Sequence, residues 1–187
     1  MGNVSDVIDD RIRELIEAQH LFFVATAPSG AEGRVNLSPK GLDAFRILDE
    51  RTVAYLDFIG SGAETIAHLR DNGRIVLMFC AFEGPPKIVR LHGKGETVEP
   101  RDERFSNLRS RFPVAQGVRS IIVVHVERAS DSCGYAVPFY EYKGERPTLG
   151  NWAEKKGEDA LLDYQRKKSG ESIDGLPALR WVTDEAE

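Results

Sequence analysis

Apolar residues along this chain gather in short, strand-length runs separated by proline, glycine and charged clusters. Leu21 to Ala27 forms one run, closed by the turn signal Pro28, Ser29, Gly30. Val35 to Ser38 predicts a second strand, stopped by Pro39, and Thr52 to Phe58 a third. Ile75 to Phe82 is nearly continuous in apolar residues, which predicts burial on both faces, and Gly84, Pro85 and Pro86 then force a turn. Lys87 to Val98 reads as a long strand whose Gly93 and Gly95 predict a bulge or a sharp bend. Ser120 to Glu127 is the sixth strand.

Helical spacing is confined to short pieces. Ile8, Ile12, Leu15 and Ile16 predict a helix running to about Gln19, with Ser5 as its N-cap and Asp6, Asp9 and Asp10 in the first turns. Glu64 to Asn72 predicts a helix with Ile66 and Leu69 inward, ended by Gly73. Pro100 to about Arg111 reads as a polar surface helix. No strand is followed by the long crossover helix that parallel pairing requires, so the pattern predicts a small, mostly antiparallel barrel. From Ala129 onward aromatics, prolines, glycines and charges mix, with one helix expected from Asp159 to about Lys168. Residues 131–187 are therefore expected to be an extension packed on the barrel or on a partner subunit, with the barrel itself spanning 1–130.

Charge and composition narrow the function. Lys and Arg number 25 against 30 Asp and Glu, a net charge of −5, so nothing draws the protein to nucleic acid. Cys80 and Cys133 belong to no Cys-x-x-Cys pair, and the first ten residues are acidic, so neither a disulfide framework nor a secretion signal is expected. No apolar stretch approaches the roughly 20 residues of a membrane span. The expected location is the cytoplasm. His20, His68, His92 and His125 lack metal-ligand spacing and predict no metal site; His92 stands out only because it shares a strand face with Arg90. There is no Gly-x-Ser-x-Gly nucleophile turn, and the runs Glu154 to Asp159 and Arg166 to Lys168 read as solvated faces.

Three segments carry candidate chemistry. At Gly60, Ser61, Gly62, Ala63, Glu64 and Thr65 a strand gives way to a helix. Unpaired N–H groups, glycines that permit close approach and two hydroxyls suit an anion. The same residues also read as a helix cap, with Ser61 as N-cap and Glu64 completing a capping box, and the two readings can coexist. Asn36 to Gly41 places Ser38 and Lys40 at a strand end beside Pro39. On the long strand, Ile88, Arg90 and His92 share one face; Arg90 there either meets an anion or lies in solvent.

In order, "GRVNLSPKG", "TVAYLDFIGSGAETIAHLRDNGRIVLMF" and "KIVRLHGKGE" resemble the pyridoxamine 5′-phosphate oxidase-like, FMN-binding split-barrel family over about Leu21 to Asp131. The resemblance implies a six-stranded antiparallel split β-barrel with short flanking helices and a C-terminal extension. It also implies a homodimer with FMN at the subunit interface. By position, Ser38, Pro39 and Lys40 match the strand that touches the isoalloxazine ring and ribityl chain. Leu56, Asp57, Phe58, Ile59, Gly60, Ser61, Gly62 and Thr65 match the segment that holds the ring edge and the phosphate. Ile88 and Arg90 match the strand facing the flavin from the partner side, and Trp152 matches a tryptophan that reaches the partner's FMN. True pyridoxamine phosphate oxidases carry an Arg-Lys pair where Glu64 and Thr65 stand here, and their C-terminal substrate motif is not recognisable. The likeness is therefore to the branch outside the true oxidases, in which "SCGYAVP" and "SIDGLPAL" are also familiar. Two functions follow: an FMN-dependent oxidoreductase acting on a small molecule through hydride transfer at the flavin N5, or a carrier or sensor of flavin or deazaflavin without turnover.

Overall fold

The structure is a computed structural model describing residues 2–184. Its centre is one antiparallel sheet. In chain order the strands and helices are β1 (Val4–Ser5), α1 (Asp10–Glu17), β2 (Phe22–Thr26), β3 (Asn36–Lys40), β4 (Phe45–Ile47), β5 (Thr52–Phe58), α2 (Glu64–Asp71), β6 (Arg74–Cys80), β7 (Lys87–Val98), α3 (Phe105–Arg109), β8 (Val118–Cys133), α4 (Thr148–Lys156), α5 (Glu158–Lys168) and α6 (Arg180–Asp184). The strand order is β3-β2-β6-β7-β8-β5-β4, with β1 added to the far end of β8.

The two long strands explain the curl. The first half of β7 pairs with β6, while β7 pairs with β8 along its whole length. The first half of β8 pairs with β5. Two short strand groups thus hang from offset halves of one long hairpin, which bends where the register shifts between His92 and Gly93. A side chain at Gly93 would overlap the His125 carbonyl oxygen, and one at Gly95 would press on Leu69 of α2. Both glycines therefore permit close approach, as the sequence implied for a bend.

The inner face carries the main core. Phe22 and Val24 of β2, Leu77 and Phe79 of β6, Val89 and Leu91 of β7, and Val53 and Tyr55 of β5 are buried together with Ile12 and Ile16 of α1 and Ile66 and Leu69 of α2. A second cluster lies on the other face of β5 and β8, where Ala54, Leu56, Ile121 and Val123 pack on Phe112 and Val98. Both-face burial thus falls on β5 and β8. It was expected at Ile75 to Phe82, but Val76 and Met78 on the outer face of β6 are only half-buried.

Several boundaries moved for identifiable reasons. Asp9, not Ser5, caps α1, its carboxylate accepting from Ile12 N at 2.7 Å; Ser5 pairs with Ala129 in β1. β3 runs through Pro39 to Lys40, which an edge strand tolerates because one side needs no partner. Pro100 to Arg111 keeps only the short α3, and the three-residue β4 raises the strand count above six. The extension holds three helices in place of one, and its Ala178, Leu179 and Trp181 enter the main core. Buried Glu99 at the end of β7 accepts from Arg180 N at 2.9 Å and Trp181 N at 3.2 Å, holding α6 against the sheet.

Gly93→Ala is expected to lower stability by about 2 kcal/mol or more, since only backbone movement could relieve the overlap; a urea melt against wild type measures it.

Candidate functional site

The strongest polar feature lies where β3 and β5 approach across the open side of the curl. Asp57 is fully buried on β5. Its Oδ2 accepts from Arg119 Nε at 2.9 Å and from Ser120 Oγ at 3.2 Å, and Lys40 Nζ of β3 donates to Oδ1 at 3.2 Å. Burial pushes the carboxyl up, but Arg119 and then Lys40 outweigh it and hold Asp57 below the ordinary carboxylate range. Arg119 is itself buried, and its Nη1 donates both to the Gly62 carbonyl at 2.9 Å and to Ser169 Oγ at 3.1 Å. One guanidinium therefore joins β5, the turn before α2 and the extension.

A second network crosses the same gap. Asn36 Nδ2 donates to Thr65 Oγ1 at 3.0 Å and to Thr26 Oγ1 at 3.2 Å, while Ser38 Oγ donates to Asn36 Oδ1 at 3.0 Å. Thr26 Oγ1 lies 3.0 Å from His68 Nδ1 on α2. Burial lowers the His68 pKa, so the ring is neutral at pH 7, and its Nε2 has no partner among the described residues. Tyr55 Oη is also buried without a well-formed hydrogen bond; burial and then the Asp57 charge push its pKa well up.

At the turn the expected helix cap is absent. Ala63 stands at the N-cap position of α2 with no side-chain cap, so the Ser61–Glu64 capping box is not formed. Neither Gly60 nor Gly62 has a positive φ. The Glu64 carboxylate folds back over Gly62, so closely that a side chain there would overlap it, and Oε1 accepts from Ile173 N at 3.3 Å. Beside it opens a cleft of about 400 Å³ lined by Ser61, Gly62, Glu64, Lys167, Lys168 and Ser172, among others.

The remaining expected residues divide. Lys40 is committed to Asp57 of β5, Ser38 is linked through Asn36 to Thr65, and Pro39 stands between them on β3. Leu56 and Asp57 turn their side chains into the interior. Ile59 joins Ala153 and Leu161 in a small cluster on which Trp152 packs. Ile88 and Arg90 lie on the outer sheet face; Arg90 donates to Ser132 Oγ at 3.1 Å, and among the described residues no hydrogen bond or ion pair carries it to the turn. Arg119, Thr26 and His68 were missed as site residues. The signal for Arg119 was a lone arginine opening an otherwise apolar run, Ser120 to Val124.

An antiparallel sheet curled into a half-barrel, with a polar seam across its open side, is the architecture of a split-barrel protein. The comparisons name the family. The pyridoxamine 5′-phosphate oxidase family model matches residues 8–133. A pyridoxamine 5′-phosphate oxidase family protein, ustO, of Aspergillus flavus is 38% identical over 192 residues, covering 92% of this chain and 76% of that one. The chain belongs to this family. Among solved structures, HupZ of Group A Streptococcus is 26% identical with a TM-score of 0.50, over 65% of this chain and 91% of that chain. A putative pyridoxamine 5′-phosphate oxidase from Lactobacillus delbrueckii has a TM-score of 0.53 at 16% identity, over 67% of this chain and 94% of that chain. An FAD-binding protein from Mesorhizobium loti has a TM-score of 0.50 at 13% identity, over 70% of this chain and 95% of that chain. No helix among the described residues is long and apolar enough to cross a membrane, and no cluster of metal-ligating side chains occurs among them.

Asp57→Asn removes one charge of a buried pair and leaves Arg119 uncompensated, so stability at pH 7 is expected to fall by about 3 kcal/mol. The folded carboxyl titrates below its unfolded value, so its contribution is present above about pH 4 and lost as pH falls through the folded pKa. The gap between wild type and variant should accordingly narrow below about pH 4 in denaturant melts run across pH.

Proposed function

We propose that this protein binds FMN and acts as an oxidoreductase on a small molecule, as a homodimer. The observation that carries the reading is the bridging of β3 to the end of β5 through Lys40 and to Thr65 of the turn through Asn36, with a cleft beside the turn. The residues present suit a phosphorylated flavin in part. Ser61 makes no side-chain hydrogen bond among the described residues, so its hydroxyl is free to donate, and the cleft gives a phosphate room. Glu64 opposes it, because a carboxylate beside a phosphate is repulsive. When bound, the flavin supplies the two-electron redox chemistry. The chain's part is to orient the ring along β3 and to hold the phosphate at the turn.

Dimerisation is supported by the outer sheet face. Pro39, Phe23, Met78 and Arg90 stand in one registered row across β3, β2, β6 and β7. The neighbouring Leu37 is 63% exposed. A second copy on this face would cover that apolar surface and bring Ile88 and Arg90 to the seam of the other protomer.

The test is spectroscopic. The purified protein, or the protein incubated with FMN, should show the yellow colour of a bound flavin and release FMN on denaturation. Anaerobic bleaching by NADH or NADPH with turnover on an added acceptor supports the enzyme; bleaching without turnover supports a carrier, and a colourless protein that takes up no FMN rejects the proposal. Glu64→Gln removes the opposing charge and should tighten FMN binding by about threefold or more, an effect that shrinks with added salt.

A further inference from the structure

A phosphate at this turn needs a cation, and most basic side chains of the surrounding elements are otherwise engaged. Lys40 is paired with Asp57, and Arg119 is divided among Asp57, Gly62 and Ser169. Arg34 binds Asp174, and Arg70 donates to the Ala178 carbonyl. His68 is neutral through burial. The side chain that the turn itself contributes at position 64 is acidic. Arg90 lies on the outer sheet face, bonded to Ser132.

The other side of the cleft is built by the extension. Lys167 and Lys168, in the last turn of α5, line the same space as Ser61, Gly62 and Glu64. Cations commonly end helices because they complement the helix dipole, so their place in the sequence carries nothing by itself. Their place in the fold does. Both are exposed, and neither makes a hydrogen bond or ion pair among the described residues. The backbone that carries them is fixed to the turn: Ser169, fully buried and next in sequence to Lys168, shares the Arg119 Nη1 group with the Gly62 carbonyl. Ser169 also accepts from Leu179 N at 3.0 Å, and Ile173 N donates to Glu64 at 3.3 Å. The backbone that carries these two unpaired lysines is thus tied to the acidic turn.

We propose that Lys167 and Lys168 supply the positive charge for the flavin's phosphate, so that the C-terminal extension completes the cofactor site within its own chain. This rests on the flavin reading above and deepens it: the charge carried by the phosphate turn in true pyridoxamine phosphate oxidases is moved here to the end of α5. The two lysines also offset Glu64, which explains how an acidic turn still receives a phosphomonoester.

The experiment compares FMN with riboflavin, which differ only in the phosphate, by quenching of flavin fluorescence on the full chain. Wild type should bind FMN at least about tenfold more tightly than riboflavin. Lys167→Ala combined with Lys168→Ala should erase that margin and leave riboflavin affinity unchanged, with an unaltered melting temperature because neither side chain holds the fold. A control pair, Lys143→Ala with Lys155→Ala, removes the same charge elsewhere and should keep the margin. Retention of the margin in the Lys167/Lys168 variant, or its loss in both pairs, overturns the inference. Equal binding of FMN and riboflavin by wild type also overturns it while leaving a flavin site intact. Binding of neither flavin by wild type rejects the flavin reading itself.

Discussion

The Asp57–Arg119 pair is the contact on which the rest of this molecule's polar architecture depends. Removing two opposite charges from water costs several kcal/mol per ion unless geometry and hydrogen bonding compensate. Here compensation is complete on the acid: one oxygen is met by Lys40, the other by Arg119 and Ser120. The guanidinium spends its remaining donors on the Gly62 carbonyl and on Ser169. Because each partner comes from a different element, the pair can be satisfied only when β3, β5, β8, the α2 turn and the extension are all in place. Its specificity follows from that requirement more than from any large net stabilisation.

The curl of the sheet creates the opening that this pair spans. Offset pairing along β7 and β8 swings β3 toward β5, but no backbone ladder joins them. Side chains do so instead, through Lys40 to Asp57 and Asn36 to Thr65. A seam closed by side chains leaves the backbone and hydroxyl of the turn at Gly60 to Gly62 near the surface. The extension then roofs the turn from its outer side, anchored by Leu179 and Trp181 in the main core and by Glu99 at the start of α6.

The outer face of the sheet follows a different logic. Phe23, Val76, Met78 and Ile88 are half-buried apolar side chains on the outer face of β2, β6 and β7, outside the core clusters. The near-continuous apolar run of β6 reads as both-face burial, and within one chain only the inward half of it is buried. Val76 and Met78 on its other face stay half-buried, so the both-face expectation holds for one face of β6 only.

What the residues alone determined was everything set by local pattern. Strand runs, the bend at Gly93 and Gly95, the α2 helix and the strand-to-helix turn at Gly60 follow from apolar spacing and from glycine's lack of a side chain, which act within a few residues. The ordered motifs further carried the family and the split-barrel expectation. Short or context-dependent pieces escaped. β4 has three residues and too little pattern to see, Pro39 is tolerated only because β3 is an edge, and Ser5 lost the cap of α1 to Asp9 because β1 recruited it into the sheet. The charges of the site were decided by tertiary structure. Lys40 stands at a strand end in the sequence, and folding set Asp57 beside it; Lys167 and Lys168 remain a solvated run, while folding tied the next residue, Ser169, to Gly62 through Arg119. Electrostatic partners are chosen by distance in space, and nothing in sequence spacing carries that distance.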